Sequence, residues 1–158
     1  MSHQGRQSAI RHKCINPFRF QLKVEDKQGN GDDTALNSVK MFCSHDGSWG
    51  SHSLESAAGS WGNWRESLHC SKFYSGIQFR SESSQGGGDD TAGNNVRLLC
   101  DGNWQDGGGL DWGSWTDAQY CPHNSFICAL RTKVEGSQGG RRDDTALNAI
   151  EVQCCYIN

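Results

Sequence analysis

Hydrophobic and polar residues alternate with a period of two in several short stretches of the chain. Phe20, Leu22 and Val24 are separated by polar residues, and the same alternation returns at residues 77–80. Such a period is typical of a β-strand with one buried face. A second set of stretches places apolar residues on one face in the same way, at residues 39–43, 96–100 and 150–154. We therefore predict three hairpins, each made of an earlier and a later strand.

The fold class predicted from this pattern is all-β. No long stretch shows the three-to-four residue spacing of apolar positions that an amphipathic helix requires. Glycine accounts for 20 of the 158 residues, and turn-forming residues are frequent.

One segment between the strands of the hairpins is repeated three times. It reads GDDTALN at 31–37, GDDTAGN at 88–94 and RDDTALN at 142–148, and each copy is followed at the same distance by a cysteine. We interpret the chain as a single domain, residues 1–158, built from three repeats at about 1–52, 53–105 and 106–158.

The repeated segment is interpreted first as a structural turn. Its glycines suit unusual backbone angles, and its Asp, Thr and Asn side chains can bond to nearby main-chain groups. The predicted turn residues are Asp32, Asp33, Thr34, Asn37, Asp89, Asp90, Thr91, Asn94, Asp143, Asp144, Thr145 and Asn148.

Three units of about fifty residues restrict the architecture. They are few for a propeller, and an open solenoid would need capping ends. A closed arrangement of three small sheets, each burying one face against a common axis, avoids both problems.

The eight cysteines predict a disulfide framework. No C-x-x-C pair of the zinc or redox type is present. Because disulfides persist in oxidising compartments, we expect a secreted, extracellular protein. Equivalence of the repeats predicts the pairs Cys14–Cys43, Cys70–Cys100, Cys121–Cys154 and Cys128–Cys155. The neighbours Cys154 and Cys155 could exchange partners.

Two tryptophan-rich segments recur at matching places, residues 59–64 and 111–115. These tryptophans could stack on sugar rings or fill the space between sheets. We expect burial, because residues repeated at matching positions of a threefold plan suit a shared core.

Charge and hydropathy exclude two classes of partner. The formal net charge is -3, which provides no attraction for phosphate backbones, so nucleic acid is not expected. No apolar run approaches the roughly 20 residues that a membrane-spanning helix needs, so membrane insertion is not expected either.

The sequence predicts no catalytic residues, no metal site and no cofactor. The paired aspartates of the turns could suggest the two acids of a glycosidase. Catalysis requires one asymmetric pair with separated pKa values, whereas three copies of one pair in one turn are explained by folding. The turn segment also lacks the alternating oxygen ligands of a calcium loop.

These residues resemble one protein family, the vitelline membrane outer layer proteins. The resemblance rests on the threefold G-D-D-T-A-x-N turn, the S-W-G-x-W segments and the adjacent Cys154 and Cys155, and it extends from about Cys14 to the end. It implies a β-prism of the jacalin type (β-prism I), with three four-stranded Greek-key sheets around a pseudo-threefold axis. It also implies a secreted structural component of an egg coat.

The resulting functional prediction is a structural or glycan-binding protein of an extracellular matrix, with glycans or other matrix proteins as partners and no catalysis. The alternative is an enzyme that transfers or hydrolyses chito-oligosaccharides. Aromatic side chains in glycine-rich loops at one end of a prism could stack on sugar rings. The predicted ligand contacts are Trp49, Trp104 and Asp106.

Overall fold

The computed structural model of the chain describes residues 6–8, 14, 16–26, 36–45, 48–56, 61–82, 93–134 and 147–157. The strands in these ranges are β1 (Arg6–Ser8), β2 (Pro17–Val24), β3 (Leu36–His45), β4 (Ser48–Glu55), β5 (Asn63–Trp64), β6 (Leu68–His69), β7 (Tyr74–Ser81), β8 (Gly93–Cys100), β9 (Asn103–Asp106), β10 (Ser114–Trp115), β11 (Gln119–Tyr120), β12 (Ser125–Val134) and β13 (Leu147–Tyr156). The predicted all-β class is confirmed. A helix long and apolar enough to span a bilayer does not occur in the described ranges.

The strands form three antiparallel sheets. In the first sheet the order is β4-β3-β2, and both β5 and β6 pair with the free side of β2. In the second sheet the order is β9-β8-β7, and both β10 and β11 pair with the free side of β7. The third sheet has the order β1-β12-β13.

The first two sheets have the Greek-key arrangement. Three consecutive strands are joined as hairpins, and the chain then returns to lie beside the first of them. Because β5 and β6 lie end to end along β2, they fill one strand position, and β10 and β11 do the same along β7. Each of these sheets therefore has four strand positions.

The three central hairpins share the same irregularities. The register between paired strands shifts at two places in each hairpin, near its start and near its turn. In the first hairpin the shifts fall at Pro17/Arg19 and Lys23/Val24. In the second they fall at Tyr74/Gly76 and Arg80/Ser81, and in the third at Ile127/Ala129 and Lys133/Val134. The threefold repeat of the sequence is thus also a repeat of backbone geometry.

The beginning of the chain closes the ring of sheets. The amides of Cys70 and Cys121 donate hydrogen bonds of 2.7 and 2.8 Å to the carbonyls of Phe18 and Ser75, which lie at the first register shift of their hairpins. The amide of Cys14 makes the same bond, of 2.7 Å, to Cys128 in the third sheet. Strand β1 pairs with β12 at the place where β5 pairs with β2 in the first sheet and β10 pairs with β7 in the second.

Three of the four disulfides join neighbouring sheets. Cys14, at the edge of the third sheet, is bonded to Cys43 of β3, and Cys70 and Cys121 are bonded in the same way to Cys100 and Cys154. The fourth disulfide, Cys128–Cys155, links β12 and β13 within the third sheet. These are the four pairs expected from repeat equivalence, and Cys154 and Cys155 do not exchange partners.

One cluster of buried side chains draws residues from all three sheets. Phe20, Leu22 and Val24 of β2, which carry the period-two pattern, are fully buried in it. Val96 and Leu98 of β8 and Ile127 and Leu130 of β12 are in the same cluster. The alternation in the sequence therefore marks the face of each sheet that is turned toward the others.

The tryptophan segments do not lie in this core, so the expectation that they are buried between sheets is wrong. Trp61 and Trp112 are 50% and 38% exposed. Their segments form the outer edge strands β5 and β10 instead. Glycine is needed there, because Gly62 and Gly113 have positive φ angles and a Cβ would lie 2.7 Å and 2.1 Å from the backbone of the neighbouring strand.

Candidate functional site

The outer side of the second sheet carries a row of residues that ends in two aromatic side chains. The row crosses the four strand positions from Trp104 of β9 through Leu99 and Gly76 to Tyr120 of β11. Although two strands separate them, the rings of Trp104 and Tyr120 are only 6.3 Å apart between centroids, at an angle of 53°. The two rings therefore lean toward each other across the sheet, and Tyr120 is 64% exposed.

Gly76 makes room for the approach of these rings. A Cβ at this position would lie 3.3 Å from Cδ1 of Tyr120 and 3.2 Å from Cβ of Leu99. The equivalent residue of the first sheet is Arg19, which pairs with Phe42 and His69 as Gly76 pairs with Leu99 and Tyr120.

A cation lies beside the aromatic pair. The guanidinium carbon of Arg97 is 5.3 Å from the ring centroid of Trp104 and 4.4 Å from that of Trp115. Its Nε donates a hydrogen bond of 2.7 Å to Oε1 of Gln78 on the neighbouring strand. We call the surface formed by Arg97, Trp104, Trp115 and Tyr120 the aromatic face.

The first sheet has a related but different surface. Trp64 occupies the position of Trp115, with Nζ of Lys40 4.0 Å from its ring centroid. At the places of Trp104 and Tyr120, however, the first sheet carries Ser53 and His69. The aromatic pair is therefore a feature of the second sheet that the repeat does not reproduce in the first.

Asp106 is engaged in hydrogen bonds within the chain. Its Oδ1 accepts from Nδ2 of Asn95 and from the amide of Gly108, both at 2.8 Å. Beyond it, the amide of Leu110 donates to the carbonyl of Asn94 at 2.8 Å. These bonds hold residues 107–110 along β8, so the glycine-rich segment continues the edge of the sheet.

The predicted ligand contacts therefore have a different setting from the one expected. Trp104 and Asp106 lie in β9, and Trp49 lies in β4, so both segments expected to be end loops are edge strands. The turn-forming residues in these segments indicated loops. An edge strand tolerates glycine, because its backbone pairs on one side only. Trp104 is half-buried and belongs to the aromatic face, whereas the side chain of Trp49 falls outside what the structure describes.

Most of the predicted turn residues also fall outside the described ranges. These are Asp32, Asp33, Thr34, Asp89, Asp90, Thr91, Asp143, Asp144 and Thr145. The asparagines that end each copy are described: Asn37 and Asn94 are buried, and Nδ2 of Asn94 donates to the carbonyl of Trp112 at 2.9 Å. Asn94 thus ties the start of β8 to the segment that leads into β10.

Sequence reasoning missed Arg97, Trp115 and Tyr120 as members of one surface. The repeated segment that contains Trp115 predicts burial in the core, whereas Trp115 lies on the outer face beside Arg97. A signal for Tyr120 was available, because Tyr120 and His69 each directly precede an equivalent cysteine and differ. Arg97 carried no such signal, because its neighbours come from three other strands.

The ionisable groups inside the molecule have structural roles. The hydroxyl of Tyr74 lies 3.1 Å from both the carbonyl of Leu68 and Oε1 of Gln105, and burial raises the pKa of Tyr74 above its ordinary value. Across the described residues, His, Cys, Asp and Glu side chains are nowhere grouped in threes that could hold a metal ion.

The fold is similar to that of jacalin and of a jacalin-related lectin. A mannose-binding jacalin-related lectin from Ananas comosus superimposes with a TM-score of 0.61, over 99% of this chain and 93% of the lectin, at 12% identity. Jacalin in complex with Gal-alpha(1-6)-Glc gives a TM-score of 0.59, over 90% and 94% of the two chains, at 10% identity. At this level of identity the likeness shows the fold, which is a jacalin-like β-prism.

Sequence comparison identifies the family. The family described as vitelline membrane outer layer protein I matches residues 13–157. The vitelline membrane outer layer protein 1 homologs of Homo sapiens and Mus musculus are 44% and 43% identical to this chain over 142 residues, covering 86% of this chain and 69% of each relative. The chain therefore belongs to the vitelline membrane outer layer protein I family.

Proposed function

We propose that the chain is a secreted, glycan-binding structural protein of an extracellular matrix and that it works without catalysis. Membership of a family named for an outer egg layer supports the structural role. Four disulfides support an oxidising, extracellular location. The solved structures with the same fold include proteins named as lectins, which makes carbohydrate a natural ligand to test, although fold alone does not carry function.

The observation that carries the proposal is the pairing of Trp104 with Tyr120 on an exposed sheet face. Indole and phenol rings stack on the apolar faces of sugar rings while their polar atoms remain in water. Two rings 6.3 Å apart and tilted by 53° offer two adjoining surfaces of this kind. Of the three predicted ligand contacts, Trp104 is the one for which this arrangement gives direct support.

The hydrogen bonds of Asp106 favour binding over catalysis at this face. An acid that accepts from both Asn95 and the amide of Gly108 stabilises the edge of the sheet. Glycoside cleavage needs a second carboxyl group across the sugar from the first. Asp106 serves the proposed function by shaping the surface beside Trp104.

Trp104→Ala tests the proposal. We expect the variant to lose binding to the glycans that the wild-type protein recognises on a glycan array. Because Trp104 is half-buried and lies against Arg97, thermal unfolding should show a modest loss of about 1–2 kcal/mol. Trp64→Ala is the matched control, since it removes an outer-face tryptophan beside a cation from the first sheet. It should cost similar stability and leave binding unchanged.

Two results would contradict the proposal. Equal glycan binding by the wild type and Trp104→Ala would remove the aromatic face as the site. Incubation with chito-oligosaccharides, followed by mass spectrometry, tests the enzymatic alternative. We expect the oligosaccharide lengths to remain unchanged, and lengthened or shortened products would establish catalysis.

A further inference from the structure

We propose that the aromatic face recognises anionic saccharides, with the guanidinium of Arg97 binding a carboxylate or sulfate group on the sugar. This inference rests on the proposed function, because it names the class of glycan that the same face would take. It follows from a comparison of one strand position in the three sheets, which holds Lys40 in β3, Arg97 in β8 and Glu151 in β13.

In the first and third sheets this position holds a neutralised charge. Lys40 lies opposite Glu55 in the first sheet, and their side chains form an ion pair of 3.4 Å. Glu151, the equivalent residue of the third sheet, lies opposite Arg131 and pairs with it. In the second sheet the residues that correspond to Lys40 and Glu55 are Arg97 and Asp106, which also lie opposite each other.

The carboxylate of Asp106 does not neutralise Arg97. Asp106 is one methylene shorter than Glu55, and its Oδ1 is bonded to Asn95 and the amide of Gly108. None of the ion pairs among the described residues includes Arg97. Of the three equivalent positions, the one beside Trp104 and Tyr120 therefore holds a charge that is not paired with any acidic side chain of the described residues.

The guanidinium is also oriented to receive an anion. Its Nε donates to Gln78, and its central carbon lies 5.3 and 4.4 Å from the ring centroids of Trp104 and Trp115, while its Nη atoms form no hydrogen bond with a described residue. A guanidinium fixed in this way offers two parallel donors that match a carboxylate or sulfate. The nearby rings lower the local dielectric around the guanidinium, which strengthens a charged hydrogen bond at its edge.

The neighbouring arginine does not offer the same site. Nε of Arg80 donates to the carbonyl of Gly113 at 3.2 Å, and its Nη atoms contact the carbonyl oxygen and the carboxylate of Asp111. Arg97 is therefore the arginine of this face that can receive an anion. Because its guanidinium carbon lies 5.3 Å from the Trp104 ring centroid, a sugar ring stacked on Trp104 and Tyr120 would bring an acidic substituent within its reach. Recognition of charge and of the ring face would occur on one saccharide unit.

The test compares three oligosaccharide probes of matched length by isothermal titration calorimetry. Hyaluronan fragments carry carboxylates, chondroitin sulfate fragments carry carboxylates and sulfates, and chitin fragments are neutral. We expect the wild type to bind an acidic probe more tightly than the neutral one. Arg97→Gln should weaken acidic binding by at least about tenfold more than it weakens neutral binding. The two acidic probes distinguish a carboxylate requirement from a sulfate requirement.

Two further variants separate charge recognition from a structural effect. Lys40→Gln removes the equivalent cation of the first sheet, where Glu55 already neutralises it, and should leave acidic binding unchanged. Asp106→Glu supplies a carboxylate as long as Glu55 while keeping Arg97, so it should reduce acidic binding selectively. Circular dichroism and thermal unfolding establish that each variant is folded.

The outcomes distinguish this inference from the proposed function. If chitin fragments bind as tightly as acidic ones, and Trp104→Ala abolishes both while Arg97→Gln abolishes neither, the face binds glycans but not anions, and the inference is overturned alone. If Trp104→Ala affects no probe, the proposed site itself is wrong. Equal loss of acidic binding in Arg97→Gln and Lys40→Gln would also overturn the inference, since it would indicate general charge attraction.

Discussion

The amide of Cys14 donates a hydrogen bond of 2.7 Å to the carbonyl of Cys128, which places the beginning of the chain on the last of its three hairpins. Cys14 is also bonded to Cys43 in the first sheet. The third sheet and the first sheet are therefore joined at one residue. Cys70 and Cys121 make the same two connections at the other two junctions, so each junction between sheets has a covalent link.

Removing any one of the three inter-sheet disulfides should destabilise the protein to a similar extent. The closed loops have sequence separations of 29, 30 and 33 residues, and loop entropy gives about 3–4 kcal/mol for each. The measurement is urea unfolding of three variants, each with both cysteines of one pair replaced by alanine. A pair whose loss costs little would show that its junction is held by other contacts.

The pairing in the last hairpin should be unique. Peptide mapping with fragmentation between Cys154 and Cys155 should assign Cys121 to the former and Cys128 to the latter. Cys128 lies at the register shift between Ile127 and Ala129, and its Cα is 5.7 Å from that of Cys155, so the described geometry already holds this pair at bonding distance. A mixture of both pairings in the native protein would contradict the described register.

Tyr120→Ala should weaken glycan binding, whereas replacement of His69, the equivalent residue in the first sheet, should not. Tyr120 is 64% exposed, so its loss should change the free energy of unfolding by less than about 1 kcal/mol. His69→Ala is the matched control, because His69 occupies the same strand position beside β2 that Tyr120 occupies beside β7. Binding is measured on the array that is used for Trp104→Ala, and equal losses in both variants would argue against the aromatic face.

Tyr74→Phe should reduce stability at neutral pH by about 1–2 kcal/mol, because the hydroxyl no longer bonds to Leu68 or Gln105. Burial raises the pKa of Tyr74 above its ordinary value of 10.0. The unfolded chain therefore releases this proton first, so the stabilisation is complete below about pH 10 and falls as the pH rises further. Urea unfolding between about pH 8 and 11 should show the difference between wild type and Tyr74→Phe shrinking at the alkaline end. Tyr156→Phe, at an exposed position, serves as the control and should show no such change.

The repeated turn aspartates remain a prediction from the sequence. If Asp33, Asp90 and Asp144 tie their turns to backbone amides, replacement of any one by Asn should cost less stability than replacement by Ala, because Asn keeps an acceptor. Thermal unfolding of the paired variants measures the difference. Loss of glycan binding at an unchanged melting temperature would instead identify these aspartates as a binding site.

The sequence by itself determined the fold class and the threefold plan. Alternation at Phe20, Leu22 and Val24 identifies a buried face because side chains on a strand point to opposite sides in turn. The copies of the turn segment show which stretches are equivalent, and equivalence was enough to predict the disulfides, since equivalent cysteines occupy equivalent places. These inferences depend on local periodicity and on repetition, and both of these are properties of the sequence alone.

The setting of the tryptophans was decided by tertiary structure. The segments that contain Trp61 and Trp112 recur like core residues, yet they form strands at the outer edges of the sheets. Repetition shows that a position has the same environment in each unit, and it does not show whether that environment is inside or outside. Edge strands two residues long also carry too few positions for alternation to assign a face.

The aromatic face depends even more on the folded chain. Trp104, Arg97, Gly76 and Tyr120 belong to four different strands, and only the register of those strands brings the two rings to 6.3 Å. Likewise, Arg97 forms no ion pair with a described residue, because Asp106 opposite it bonds to Asn95 and Gly108 instead. The sequence determined three equivalent sheets because equivalence is a property of the pattern. Pairing between strands decided how their outer faces differ, because a surface is formed by residues that are distant along the chain.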